Sequence, residues 1–370
     1  MKSPHPALSP FLLAALMAEH ARLMRAGDLM GATSAIQRAL GGLPARVRVR
    51  ASSRFSFGRL IRPFQADALD ALDIPAASDA PPRHAALGGQ GPSFVSGSYA
   101  NSASRLDYKL FIPASAGSRP LPLVVMLHGC SQNPDDFAAG TAMNRLAASE
   151  DFFVLYPAQP RKSNPQGCWN WFKHTHQGPS RGEPALIAGA TRAVIAEHAI
   201  DPDRVFAAGL SAGGSMAAIL GTTHPELYSA VGVHSGIAAG AAANLVSAMG
   251  AMRGGAQGPL SPSPTPAIVF HGDADQTVHP RNGSQAASAA SAGASAEITE
   301  IPDANGRSAT RSVFRSPDGR VLAEHWLSRG SGHAWSGGDA AGSYADELGP
   351  NASAEMFRFF MEHPRAAAGS

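Results

Sequence analysis

The feature that most constrains this chain is the stretch 205–220, where a short apolar strand runs directly into a helix of small and apolar residues. The two predicted elements meet at Gly209-Leu-Ser-Ala-Gly213, an instance of G-x-S-x-G that we call the elbow. Such a sharp turn pushes the side chain at its tip outwards, and glycines let helix and strand pack closely. Ser211 would then expose its hydroxyl beside a helix N-terminus, as a catalytic nucleophile does. The alternative is a packing turn, because the pentapeptide alone is a weak pattern in a chain with 39 Gly.

Predicted strands and helices alternate on both sides of the elbow. The uninterrupted apolar run Leu123–Leu127 is typical of a strand covered on both faces, and 184–198 has the length of a crossover helix. The segments Phe94–Tyr99 and Leu106–Ile112 are expected to form an antiparallel hairpin at a sheet edge. The pattern predicts an α/β fold, with a mostly parallel sheet and helices on both faces.

Composition divides the chain into three parts. Residues 1–45 carry apolar side chains at helical spacing and predict a short N-terminal helical appendage. Residues 46–92 are rich in Pro, Ala, Ser and Gly and predict a linker, and 93–365 form the predicted α/β domain. Inside that domain, 137–149 is expected to be one helix and 236–265 a flexible cap or loop.

Charge and hydropathy limit the partners and the compartment. The net charge is only +2 with 16% charged residues, so no basic face for nucleic acid is expected. The apolar run 11–18 resembles a signal-peptide core, but charged residues follow at once and no cleavage site is evident. It is also too short to span a membrane. We expect a cytoplasmic location, with secretion by a non-standard route as the alternative, and the oligomeric state stays open.

In sheets of this kind, ligands and catalytic groups gather beyond the carboxyl ends of the strands. Four predicted strand ends are followed by polar loops. Serine, then acid, then histidine occur in that order along these loops, which is the chain order of α/β-hydrolases. We name them the oxyanion loop (128–132), the elbow (209–213), the acid loop (271–280) and the histidine loop (328–337).

A serine hydroxyl attacks well only when a base removes its proton, so the elbow needs a histidine. His333 is the candidate, because its glycine-rich loop can present an imidazole without steric conflict. His128, His271 and His279 also follow strand ends and are the rivals. For His128 and His271 we expect a different role, bracing their loops by hydrogen bonds.

The histidine needs a carboxylate that fixes its tautomer and stabilises the imidazolium. Asp273 and Asp275 compete for this role, and their spacing does not separate them; the other one is expected to cap the turn. The oxyanion of the reaction needs two backbone N–H donors, for which Ala212 and Cys130 are the candidates. A cysteine nucleophile is the competing idea, but Ser211 already occupies the elbow.

Five ordered motifs across about 95–362 resemble the poly(3-hydroxybutyrate) depolymerase family of esterases, which is related to feruloyl and acetylxylan esterases. The resemblance implies the α/β-hydrolase fold and favours Asp275 as the acid, through Gly272-x-x-Asp-x-x-Val278. It implies a serine carboxylester hydrolase acting on poly- or oligo(3-hydroxyalkanoate) or similar short-chain esters. The alternatives are a feruloyl or acetylxylan esterase, a serine peptidase, and a non-catalytic binding protein. The motifs are Leu127–Gln132, Leu155–Gln159, Gly167–Phe172, Gly209–Gly214 and Gly332–Gly337.

Aromatic side chains in loops rich in Gly and Pro are candidate substrate contacts, because exposed tryptophans offer flat apolar surface. Trp169, Trp171 and Trp335 are therefore predicted to bind substrate. Of the two in the segment 167–172, which we call the Trp loop, one is expected to be exposed and one to pack beneath the loop.

Two further patterns leave alternatives open. Cys130 and Cys168 both belong to loops of the predicted site, so they either form a disulfide between those loops or remain free thiols. His174-x-His176 has a spacing found in metal sites, but with no third ligand nearby a solvated loop is favoured. No metal or cofactor is expected.

Overall fold

The computed structural model describes residues 91–102 and 104–365. The predicted helical appendage (1–45) and nearly all of the predicted linker (46–92) lie outside these residues. Within them, ten strands form one sheet, and two short strands, β11 (Trp335–Ser336) and β12 (Ala345–Asp346), pair separately. The ten are β1 (Ser93–Ala100), β2 (Arg105–Ile112), β3 (Leu121–Leu127), β4 (Phe153–Pro157), β5 (Ile200–Leu210), β6 (Ala230–His234), β7 (Ala267–Gly272), β8 (Ala296–Ile301), β9 (Ala309–Arg315) and β10 (Val321–Ser328).

The sheet is parallel in its centre and antiparallel at both edges. The strand order is β1-β2-β4-β3-β5-β6-β7-β10-β9-β8. All pairs from β4 to β10 are parallel, as expected for buried apolar strands joined by helical crossovers. The predicted hairpin is confirmed as β1 and β2, which pair antiparallel. The prediction of an α/β fold is therefore confirmed.

Helices cover both faces of the sheet and bury two hydrophobic layers against it. One layer contains apolar side chains of α3, α4, α5 and α6, and the other contains those of α1, α2 and α7. The central strands contribute to both layers, since successive side chains of a strand point to opposite faces. The helices are α1 (Pro134–Thr141), α2 (Met143–Glu150), α3 (Gly182–Glu197), α4 (Ala212–Thr223), α5 (Leu245–Gly254), α6 (Arg281–Ser291) and α7 (Ala352–Met361).

Two predicted elements differ from the structure. The single helix expected over 137–149 is divided into α1 and α2 by Ala142, which has left-handed backbone angles (φ 53°) and ends the first helix. The segment 236–265, predicted as a flexible cap or loop, contains the helix α5. Asn244 begins α5 with a capping box shared with Ser247, a signal present in the sequence but hidden among Ala and Gly.

The sheet register brings the carboxyl ends of β5, β6, β7 and β10 side by side. Leu210 at the end of β5 pairs with His234 at the end of β6, which in turn pairs with Phe270 of β7. Gly272 at the end of β7 pairs with Ser328, the last residue of β10. The elbow, the acid loop and the histidine loop therefore leave the sheet at one edge. In the part of the chain that the structure describes, no helix has the length and apolar character to cross a membrane.

Candidate active site

Ser211 lies at the tip of the turn between β5 and α4, in a conformation that few residues adopt. Its φ of 58° and ψ of −119° lie outside the regions favoured by side chains with a Cβ, so the turn stores strain. Ser211 is partly exposed, while Leu210 and Ala212 on either side are buried. The predicted elbow geometry is thus present, with the serine presented at the N-terminus of α4.

Backbone contact between the elbow and the strand β3 explains why residue 213, two positions after the serine, is a glycine. A Cβ added at Gly213 would clash with the carbonyl oxygen of Leu127, and one added at Gly209 would clash with Gly213 itself. Gly129 of the oxyanion loop faces the same turn, where an added Cβ would lie 3.6 Å from the Cβ of Ser211. The elbow and the oxyanion loop are therefore in direct contact.

The acid loop and the histidine loop bring the carboxylate of Asp275 and the imidazole of His333 together in a hydrogen bond. Nδ1 of His333 lies 2.7 Å from Oδ2 of Asp275. A carboxylate can only accept, so Nδ1 carries the proton and Nε2 is left free to take one from a hydroxyl. The Asp275 side chain is fully buried and that of His333 is 11% exposed, so the pair is shielded while the imidazole still reaches the surface.

Asp275 is held as a carboxylate by its surroundings. Burial by itself would raise its pKa, but the imidazole of His271, whose Nε2 lies 3.4 Å from Oδ2, and the hydrogen bond from His333 hold the pKa far below the ordinary value. Its other oxygen, Oδ1, accepts the N–H groups of Thr277 and Val278, each at 2.9 Å. These donors stabilise the charged form and fix the carboxylate in one orientation.

Asp273, the other candidate acid, contacts the histidine loop but not the imidazole. The structure leaves Asp273 exposed, and its Oδ1 accepts the N–H of Gly330 at 2.6 Å. Two backbone hydrogen bonds also join these loops: the N–H of Asp273 donates to the carbonyl oxygen of Ser328, and that of Ala274 donates to the carbonyl oxygen of Ser331. Asp273 was predicted to cap its own turn if it was not the acid; the structure instead has it joining two loops.

The rival histidines occupy other positions. His128 is buried; its Nδ1 contacts the carbonyl oxygen of Gly129, and its Nε2 accepts the N–H of Gln159. His271 is also buried and donates from Nε2 to the carbonyl oxygen of Val278 at 2.8 Å. Both hold loops, as their expected bracing role requires. His279 is exposed, and its Nδ1 accepts the N–H of Arg281.

One candidate oxyanion donor, Ala212, lies in the elbow, and the other, Cys130, lies in the adjoining oxyanion loop and is fixed by a disulfide. Within the described residues, the N–H groups of Cys130 and Ala212 donate no hydrogen bond, whereas the neighbouring N–H of Ser131 binds Gln166 and that of Ser211 binds His234. Cys130 is bonded to Cys168 with an S–S distance of 2.07 Å. Of the two alternatives for these cysteines, the structure contains the disulfide.

All three tryptophans predicted to bind substrate are buried, which corrects the expectation that one of Trp169 and Trp171 is exposed. Trp169 is 0% exposed, Trp335 1% and Trp171 7%. The Trp loop is drawn inward because Glu183, itself buried, accepts both the backbone N–H and the side-chain amide of Asn170, each at 2.6 Å. Trp335 is buried against Phe137, with a ring separation of 5.6 Å. Tryptophan in a loop rich in Gly is therefore structural here.

An aromatic side chain that the sequence analysis missed is exposed next to the oxyanion loop. Tyr344 is 41% exposed and has a positive φ of 52°, which is unusual for an aromatic residue. Its hydroxyl lies 3.4 Å from Oγ of Ser131, and its carbonyl oxygen accepts the N–H of Trp335 in the histidine loop. It thus contacts both the oxyanion loop and the histidine loop. No local sequence pattern marks it.

A second missed residue, His234, lies at the end of β6 between the elbow and the acid loop. Its backbone oxygen accepts the N–H of Ser211, and its ring accepts the N–H of Ser336. A signal was available, since His234 directly follows the predicted strand 230–233 and a survey of strand ends could have included it.

The pair His174 and His176 belongs to a short 3₁₀ helix, and Nδ1 of His176 lies 3.4 Å from the carboxylate of Glu183. Among the residues described, no group of three or more His, Cys, Asp or Glu side chains is arranged to hold a metal ion.

Comparison with known proteins places these residues in a family context. Poly(3-hydroxyalkanoate) depolymerase C of Paucimonas lemoignei is 30% identical over 238 residues, which cover 60% of this chain and 56% of that protein. Feruloyl esterase B of Thermothelomyces thermophilus is 29% identical over 151 residues, covering 40% of this chain and 50% of that protein. The chain thus spans about half the length of these curated relatives.

Solved structures agree with the fold. An acetyl xylan esterase from Aspergillus awamori superposes with a TM-score of 0.55 at 19% identity, covering 70% of this chain and 94% of that one. The elbow, the acid loop up to α6, and the oxyanion loop all fall inside residues 106–293, which match the family described as Esterase PHB depolymerase. This match covers half of the sequence, and we conclude that the chain belongs to the Esterase PHB depolymerase family.

Proposed function

We propose that this protein is a serine carboxylester hydrolase. The observation that carries the proposal is the hydrogen bond of 2.7 Å from Nδ1 of His333 to Asp275, at the sheet edge where Ser211 projects from a strained turn. A neutral imidazole oriented by a buried carboxylate is the base that a serine nucleophile requires. Membership of the Esterase PHB depolymerase family supports the same chemistry.

In the proposed reaction, Nε2 of His333 removes the proton of Ser211 while Oγ attacks the ester carbonyl carbon. The carbonyl oxygen becomes negative and accepts hydrogen bonds from the N–H groups of Cys130 and Ala212. His333 then gives its proton to the departing alkoxide, which leaves an acyl-enzyme. Water, deprotonated by His333, attacks that ester, and the carboxylic acid leaves as Ser211 regains its proton.

Asp275 keeps His333 in the productive tautomer throughout these steps. Its pKa, held low by the imidazoles of His271 and His333 despite burial, keeps it ionised at neutral pH. The carboxylate therefore stabilises the imidazolium that forms after each proton transfer and does not itself take the proton. The disulfide with Cys168 supports the other side of the site, because it ties the oxyanion loop to the Trp loop.

For the substrate, we propose poly- or oligo(3-hydroxyalkanoate) or similar short-chain esters, in agreement with the name of the Paucimonas lemoignei relative. Tyr344 is the proposed apolar contact, because it is exposed and its hydroxyl lies beside Ser131 of the oxyanion loop. Its ring is available to an acyl chain, whereas the three buried tryptophans are not. A feruloyl or acetylxylan esterase is the second candidate, favoured by the names of other relatives.

The experiment compares the purified wild type with Ser211→Ala on a p-nitrophenyl butyrate assay. The variant should lose about 10⁴-fold or more in kcat with an unchanged fold, since loss of any one member of the triad removes most of the catalysis. Activity of the variant within about tenfold of the wild type would contradict the serine mechanism. The wild type is then tested side by side on 3-hydroxybutyrate oligomers, amorphous polymer, methyl ferulate, acetylated xylan and a peptide. Faster turnover of ferulate or xylan than of oligomers would favour the second candidate.

A further inference from the structure

His234 is a buried histidine that the proposed reaction does not use, yet it touches both halves of the site. It is the last residue of β6 and only 1% exposed. β6 lies between β5, which carries the elbow, and β7, which carries the acid loop. A residue at this strand end is therefore placed to contact the loops on both sides.

The backbone of His234 holds the elbow. Its carbonyl oxygen accepts the N–H of Ser211 at 2.8 Å. A Cβ added at Gly214, just after the elbow, would lie 2.9 Å from the same oxygen, so the start of α4 also packs directly on it. The carbonyl group of His234 therefore fixes the position of the Ser211 backbone.

The imidazole of His234 holds the histidine loop. Its Nε2 accepts the backbone N–H of Ser336 at 2.9 Å, three residues after His333. An acceptor nitrogen carries no proton, so the proton is on Nδ1, which donates to Oγ of Ser235 at 3.2 Å. Stacking fixes the plane of the ring, with the Trp335 ring at 5.0 Å and the Phe270 ring at 5.7 Å.

The surroundings keep this imidazole neutral. Burial lowers the pKa of His234 well below its ordinary value, and repulsion from His271 and His333 lowers it further. Nε2 therefore remains available as an acceptor at neutral pH.

We propose that His234 is a positioning residue for the catalytic histidine, linking the loop that carries His333 to the strand end that holds Ser211. The inference rests on the proposed function. Ser336 is 2% exposed, so its N–H has no access to water if the imidazole is replaced by a group without an acceptor. The loop would then shift to satisfy that N–H, and displacement of a catalytic group by about 1 Å can cost about 10²-fold in rate.

Two substitutions separate positioning from packing. In His234→Phe the aromatic stack with Trp335 and Phe270 is preserved, but no acceptor faces Ser336. In His234→Gln the stack is lost, while the side-chain oxygen can reach the place of Nε2. We expect His234→Phe to lower kcat about 10²-fold with KM changed less than about threefold. We expect His234→Gln to retain kcat within about fivefold although it is the less thermostable of the two.

His363 provides the matched control. It is also buried and stacked, with its ring 4.0 Å from that of Phe359, and it contacts the carbonyl oxygen of Val321 at the amino end of β10, away from the site. His363→Phe and His363→Gln should change thermal stability and leave kcat unchanged. At position 234, in contrast, the more stable variant (Phe) should be the less active one and the less stable variant (Gln) the more active one. A role in packing alone does not produce this result.

A second measurement does not depend on substrate. The proton shared by His333 and Asp275 should give a low-field ¹H resonance in the wild type and in His234→Gln, and this resonance should be shifted or lost in His234→Phe. Equal kcat losses in the Phe and Gln variants, or an unchanged resonance in the Phe variant, would overturn the inference. A wild type that shows the resonance but hydrolyses no ester would instead overturn the proposed function, and the resonance of the variants would still decide the role of His234.

Discussion

The elbow and the histidine loop both deliver a catalytic side chain to the same sheet edge, but they are built in different ways. The elbow is marked by a local sequence pattern, namely the strand before it, the helix after it and the glycines that let its backbone pack on Leu127 and His234. The histidine loop is held from outside, by residues distant in sequence.

Three supports of the histidine loop come from three different elements. Asp273 in the acid loop accepts the N–H of Gly330, Asp346 of β12 accepts the hydroxyl of Ser331, and His234 of β6 accepts a further N–H. Asp346 is itself held by Arg307 at 2.9 Å. A nucleophile can thus be encoded by a short local pattern, whereas the orientation of its base depends on contacts from several parts of the fold. The two regions should therefore fail differently under mutation.

The largest effect is expected at Asp275, because it binds the imidazole of His333 directly, whereas the other contacts hold only the surrounding loop. Asp275→Asn should lower kcat about 10³- to 10⁴-fold, because an amide facing Nδ1 disfavours the productive tautomer. Asp273→Asn should stay within about threefold of wild type, since its amide oxygen still accepts the N–H of Gly330. Steady-state kinetics on p-nitrophenyl butyrate measures both. The reverse ranking would make Asp273 the acid.

A second pair of substitutions tests the comparison through stability. In Gly213→Ala the new methyl group meets the backbone of Leu127, so we expect a loss of about 3 kcal/mol in the free energy of unfolding, together with loss of activity. In Gly332→Ala, in the histidine loop, no described atom other than those of its two chain neighbours lies within 4 Å of the new Cβ, so the change should stay below about 0.5 kcal/mol. Urea unfolding measures both. Equal losses would show that the two regions are equally constrained.

The difference between the two regions also explains which features could be predicted from the sequence. The elbow, the order of serine, acid and histidine, and the parallel centre of the sheet follow from local apolar runs and turn residues, and the fold was predicted from them. Asp273 and Asp275, in contrast, could not be separated by spacing, because both follow the same strand and only the tertiary contacts of their carboxylates differ. Family resemblance, not geometry, favoured Asp275.

Burial of loop side chains was the least predictable property. The Trp loop contains glycine and polar residues, which favour exposure, but Glu183 on α3 draws Asn170 inward and Trp169 with it. Glu183 is 13 residues from Asn170 and belongs to a different element, so no motif within the loop indicates the contact. Tyr344, which is exposed, directly precedes β12, the short strand that pairs with β11.

The strands that carry the two loops differ in a further respect, and this gives the smallest effect that we predict. The end of β5 before the elbow is buried and apolar, from Val205 to Leu210, whereas β10 before the histidine loop buries His325. Nε2 of His325 has no hydrogen-bond partner among the described residues. Burial first, and repulsion by His271 second, lower its pKa from 6.5 to about 4.

The sign of the resulting pH dependence follows from proton binding. Between about pH 6.5 and pH 4 the unfolded chain protonates at this histidine and the folded protein does not, so stability falls as the pH falls through that window. From pH 8 to pH 5 this group alone should cost about 2 kcal/mol. His325→Leu removes the group, so its free energy of unfolding should decline about 2 kcal/mol less over that range. Urea unfolding at both pH values tests this. Equal losses of the free energy of unfolding in wild type and variant would show that β10, despite its buried His325, is no more pH-sensitive than β5.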